Sequence, residues 1–169
     1  MLQSDLFFST DAETSRTQLP DTLTDSLFDQ HVFTSQVGNA QRQCRQWMRV
    51  RVYRNLNKAE FFSILALEGE CKGKVIGYAK SVLIENGQYR VSEAGRQRVL
   101  RERRKCVHAY IDGVIADASN TVQTLKGNET YVTYNPYHQG AFFRPDSLEA
   151  QHGGFVHAVI QQAGAYIRA

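Results

Sequence analysis

One basic stretch, residues 91–112 (VSEAGRQRVLRERRKCVHAYID), changes its hydrophobic period midway, and no other feature constrains the fold as much. Its first half spaces Ala94, Val99 and Leu100 as a narrow helical stripe, enough to seat a helix on a sheet. Its second half alternates Val107, Ala109 and Ile111 with His108, Tyr110 and Asp112, the period of a strand with one face in the core. Ser92 is a fitting N-cap and Glu93 suits the positive first turn, so a helix is predicted over about 93–104, running directly into a strand. Gly95 weakens such a helix, and a close packing contact would be the reason for it. Between positions 96 and 105 stand five arginines and one lysine against a single acid, Glu102. Most of the helix circumference is therefore cationic.

The rest of the chain reads mainly as short strands. In Met48-Arg49-Val50-Arg51-Val52-Tyr53, the two valines are expected in the core and the arginines toward solvent or a ligand. Residues 55–58 form a turn, and 61–67 return as the second strand of a hairpin. Residues 74–85 read as a strand or strand pair bent at Gly77, where a missing side chain often marks a bulge. Asn86-Gly87 is a turn dipeptide, with 88–91 returning from it. Residues 117–129 read as loop and 131–134 as a strand stopped by Asn135-Pro136. The apolar positions of 155–167 fit a helix or a pair of strands, and strands are the preferred reading.

Charge divides the chain. Residues 1–40 hold six acids and one base, a net of −5, which leaves +8 for the remainder. These first residues are rich in Ser, Thr, Asp and Gln, without a sustained period, and are expected to be mostly disordered. The sequence thus predicts an α+β domain over 41–169, a small antiparallel β-sheet with one principal basic helix, preceded by a flexible acidic N-terminal extension over 1–40. No apolar run approaches the roughly 18 residues that span a bilayer, so no membrane partner is expected. With no secretory signal in view, the cytoplasm is the expected compartment. Cys44, Cys71 and Cys106 form no CxxC pair and are expected as reduced thiols. The five histidines lack metal-ligand spacing, and there is no P-loop, dinucleotide glycine pattern or nucleophile elbow, so neither metal nor cofactor is expected.

Several blocks together carry a resemblance. RVYRNLN at 51–57, GKVIGYA at 73–79, the block 91–113 and TYNPY at 133–137 resemble a family of small proteins carried by bacterial phages, plasmids and integrated elements. The resemblance spans roughly 49–145. It implies a mobile-element setting and no particular mechanism, and the acidic residues before Arg42 depart from its pattern. Separately, Gln3-Ser4-Asp5-Leu6-Phe7-Phe8 resembles the peptide with which bacterial replication proteins dock on the sliding clamp. There Leu6 and Phe7 would fill a pocket and the Gln3 amide would fix register.

For function, the arginine-rich helix is the leading candidate. Guanidinium forks bind phosphates bidentately, which suits a nucleic-acid backbone, DNA or RNA. The expected contacts are Arg96, Arg98, Arg101, Arg103, Arg104 and Lys105, supported by Arg49 and Arg51. Tyr110, Tyr134 or Tyr137 could stack on bases of a single strand. Two alternatives stay open. The same arginines could occupy an acidic surface of a host defence or replication complex. A small ribonuclease-like enzyme could use His108, Tyr110 and Asp112, although residues two apart on a strand lie about 6–7 Å from each other.

Overall fold

Alternation in the sequence becomes sheet over most of the described residues. A computed structural model describes residues 14–16, 31–37, 40–104, 106–137, 142–162 and 164–168, with side chains from residue 42 onward. Gln3, Leu6, Phe7 and Lys105 lie outside the described residues. Among those described are twelve strands and one helix of 10 residues. The expected α+β fold with a principal helix is thereby corrected to a mainly β one. The reason is burial: the helix has no buried residue, so the core belongs to the strands.

The small sheet pairs β1 (Thr14–Arg16), β2 (His31–Val37) and β3 (Ala40–Arg45) in that order. The first two strands fall in the stretch expected to lack regular structure. They are held by backbone ladders, which need no apolar alternation. This sheet lies against the large one at β6, and Cys44 of β3 is fully buried in the main core.

The large sheet is antiparallel. It begins with the predicted hairpin, β4 (Arg49–Arg54) and β5 (Phe62–Ala66), joined by a turn in which buried Asn55 accepts hydrogen bonds from the backbone N–H groups of Asn57 (2.9 Å) and Lys58 (3.0 Å). Next come β6 (Val75–Ala79) and β7 (Ser81–Val91), then the helix α1 (Glu93–Glu102) and β8 (Ala109–Ser119). The edge opposite β6 holds β9 (Thr130–Tyr134), β10 (Phe142–Phe143), β11 (Gly154–Gln161) and β12 (Gly164–Arg168). The order across the sheet is β10-β9-β12-β11-β7-β8-β4-β5-β6. A register shift beside Gly77 places the expected irregularity in β6, and 154–168 form the preferred strand pair.

Asn86-Gly87 is not a hairpin turn. Strand β7 runs through it, pairing with β8 on both sides, and the register shifts there between Glu85 and Gln88. Asn86 adopts φ 49°, and a Cβ on Gly87 would lie 2.2 Å from the Phe155 ring. The dipeptide makes a bulge that lets Phe155 pack over the strand.

The sheet curls. Val52 and Phe62 on one side and Val132, Phe142, Ile160 and Ala165 on the other share one core cluster and line one cavity of about 180 Å³. Ile64, Ile76, Ile84 and Ile115 are fully buried in that cluster, each contributing on the order of 2 kcal/mol. The opposite face of β4, β5 and β6 carries a smaller cluster of Tyr53, Leu65, Val75 and Tyr78, against which Val107 and Tyr110 pack.

Candidate nucleic-acid interface

Helix α1 is an insertion in the β7–β8 pair. The two strands pair from Ser81↔Ser119 to Val91↔Ala109, and Ser92 N–H then donates to the His108 carbonyl (2.7 Å), closing the ladder under the helix. Ser92 caps the helix as predicted, its Oγ accepting from Gly95 N–H at 3.3 Å. Glu93 accepts from Gln97 (2.9 Å) and Arg96 (3.1 Å), and these bonds, Gln97 foremost, hold its carboxyl below the usual range. The helix ends at Arg103, left-handed at φ 53°, whose N–H returns to the Val99 carbonyl. Gly95 has the contact its presence called for: a Cβ there would stand 2.9 Å from the Cβ of His108.

The expected arginines divide into two groups. Arg96 is mostly buried, and its Nε donates to the Pro136 carbonyl (3.0 Å), pinning the turn at 134–137 to the helix. Arg51 makes a bidentate pair with Asp112 (2.8 and 2.9 Å) and lies over the Tyr110 ring at 4.5 Å. The hydrogen bond to Asp112 raises the Arg51 pKa further. Arg98, Arg101, Arg103 and Arg104 are exposed, as is Arg49. Arg104 meets Glu102 at 3.4 Å, a solvent-exposed pair of little worth. Arg98, Arg101 and Arg103 have no ion-pair partner among the described residues.

Between α1, the β4–β5 turn and the 134–137 turn lies a cleft of about 450 Å³. Leu56, Val99 and Leu100 supply apolar wall, Arg103 and Arg104 a cationic rim, and Cys106, His108 and Tyr137 the remainder. Tyr137 is 71% exposed, and its N–H is held by the Asn135 Oδ1 at 2.9 Å. Leu56 is a cleft residue that sequence reasoning misses; the local signal for it is an apolar residue inside a polar turn. A second depression, about 710 Å³, includes Arg42 and Arg45, but Glu68 and Glu70 offset them there.

His108 does not join Tyr110 and Asp112. Its ring packs edge-on against Tyr134 (centroids 5.1 Å apart), while Asp112 is taken up by Arg51. The His108 Nδ1 lies 2.8 Å from the Cys106 carbonyl, which can only accept, so in the neutral ring Nδ1 carries the proton and Nε2 a lone pair. That Nε2 is buried without a partner among the described residues, as is the Tyr134 hydroxyl. Burial pushes the Tyr134 phenol up to about 12. The three thiols are free, and no group of three or more His, Cys, Asp or Glu is gathered for a metal among the described residues.

The blocks noted in the sequence find their counterpart among known proteins. The model of the Mycobacterium phage L5 gene 82 protein family matches residues 43–167. The chain belongs to that family. The gene 82 protein of Mycobacterium phage L5 itself is 40% identical over 100 residues, covering 56% of this chain and 76% of that protein. The resemblance to a phage-carried family of small proteins is thus borne out, and the gene 82 match contains α1, the 134–137 turn and every wall of the cleft. No solved structure matches the chain.

Proposed function

We propose that this phage-family protein binds nucleic acid through the phosphate backbone, using Arg98, Arg101, Arg103 and Arg104 of α1 and the end of that helix. One observation carries the reading. No residue of the helix belongs to the core, yet the helix is capped, packed at Gly95 and tied by Arg96, and it presents exposed arginines of which Arg98, Arg101 and Arg103 have no ion-pair partner among the described residues. Such forks match phosphate geometry and lose less on desolvation than ammonium groups do. Arg49 on β4 is a further exposed contact, whereas Arg51 and Arg96 hold the scaffold.

The test is fluorescence anisotropy with labelled single- and double-stranded DNA and RNA over a salt series. The expected result is steep salt dependence, with the slope of log K against log salt reduced by about 2 when Arg101, Arg103 and Arg104 become Ala, each phosphate contact on a single strand contributing about 0.7. Salt-independent binding unchanged in the variant overturns the reading and turns attention to an acidic surface of a host protein complex.

A further inference from the structure

The cleft beside α1 has features that a backbone-binding helix does not need. Its walls are apolar, its rim is cationic, and an exposed tyrosine stands at its side. Phosphates use the rim and gain nothing from Leu56, Val99 and Leu100. A flat, largely apolar ring with a polar edge uses all of it. The volume, about 450 Å³, falls in the range of clefts that enclose a small ligand.

The polar groups point to the same occupant. His108 has its proton fixed on Nδ1 by the Cys106 carbonyl, which leaves Nε2 as a buried acceptor without a partner among the described residues. An acceptor left in that state costs free energy that an arriving N–H restores. Every nucleobase carries such a donor on its pairing edge, and in a duplex that donor is already engaged. Tyr137 offers a ring for stacking, and Arg103 and Arg104 line the same cleft as cations suited to flanking phosphates. The two sides of the cleft are joined by the Arg96 bond to Pro136, so the gap between helix and turn exists before any ligand arrives.

We propose that this cleft seats one unpaired nucleobase, its pairing-edge N–H donated to His108 Nε2 and its ring against Tyr137, so that the protein selects single strands over duplex. This rests on the nucleic-acid reading above and adds the base to it. Nε2 is closed to water in the empty cleft, so the side chains around His108 shift as the base enters.

The experiment compares three labelled oligomers of equal length and charge on the full chain at one salt concentration: oligothymidylate, the same backbone without bases, and oligothymidylate methylated at N3. Oligothymidylate is expected to bind about tenfold tighter than the base-free backbone, the scale of one stacked base. Methylation at N3 is expected to cost several-fold. A Tyr137→Ala variant, altered at an exposed position, is expected to lose affinity for oligothymidylate and none for the base-free backbone. Equal affinity for oligothymidylate and either altered oligomer overturns the base site while leaving backbone binding in place. Failure of all three to bind overturns the nucleic-acid reading itself.

Discussion

Arg51 and Arg101 carry the same charge to different ends. Arg51 sits on β4 directly opposite Asp112 on β8, close enough for two parallel hydrogen bonds, with Tyr110 beneath it. Asp112 also faces Arg90 at 3.8 Å, so one carboxylate anchors two cations on that face of the sheet. Arg101 stands on the last turn of α1, exposed. Replacing Asp112 with Ala is expected to cost about 2 kcal/mol, the scale of charge-assisted hydrogen bonds lost from a partly buried pair. Arg51→Ala should cost about as much, and the double variant no more than either alone. Thermal melts of the three read this directly; additive losses would mean the two residues do not act as a pair. The converse applies to Arg101→Ala, which is expected to leave the melting temperature within about 2 °C and to weaken nucleic-acid binding. Sequence alone could not separate these arginines. Alternation placed Arg51 on the correct face, but its partner lies 61 residues away, and no local pattern names a partner at that distance.

At the scale of the element, α1 shows what local chemistry does and does not reveal. Its cap, first-turn acid, starting point and the need for a contact at Gly95 were all readable from residues within one or two turns of each other, whereas its end came two residues before the expected 104. Its weight in the fold was not, because a narrow stripe of Val99 and Leu100 can seat a helix or line a cleft, and only the position of Leu56 and Tyr137 decides which. Asn86-Gly87 teaches the same lesson from the other side. Its preference for left-handed backbone was real, but the ring of Phe155, far along the chain, turned a hairpin signal into a bulge. The helix also supplies a test in which propensity and packing oppose each other. Gly95→Ala gains about 1 kcal/mol of helix propensity. The new methyl would meet the Cβ of His108, an atom that cannot swing away, at 2.9 Å. Overpacking of that kind costs about 1–3 kcal/mol, so a net loss is expected, lowering the melting temperature by about 2–4 °C. A variant that melts higher than the parent would show that α1 is not seated closely on His108.

For the whole molecule, the individual strands were legible and their assembly was not. Val50 and Val52 alternate with Arg49 and Arg51, and that pattern sufficed to find β4 and its inner face. The order of nine strands, and the curl that brings β9 and β10 toward β4 and β5, depend on residues some 80 positions apart entering one core cluster and lining one cavity, such as Val52 and Val132. The curl encloses an aromatic row in which Phe142 stands between Tyr89 (4.9 Å) and Tyr134 (5.2 Å). Burial raises both phenols to about 12, so each resists losing its proton while the fold is intact. In the unfolded chain a tyrosine ionises near 10. Between these values the unfolded state releases protons that the folded state keeps, so stability is fully present below pH 10 and falls as pH rises toward 12. Tyr134→Phe isolates one share of this, because its buried hydroxyl has no partner among the described residues. The variant is expected to be as stable as the parent at pH 7, or more so, since an unsatisfied polar group is removed. Its melting temperature should then fall less steeply than the parent's from pH 10 to 12, with part of the phenolate absorbance change near pH 12 missing. Parallel declines in the two proteins would mean that Tyr134 ionises as readily in the folded chain as in the unfolded one, and that the sheet does not close over it.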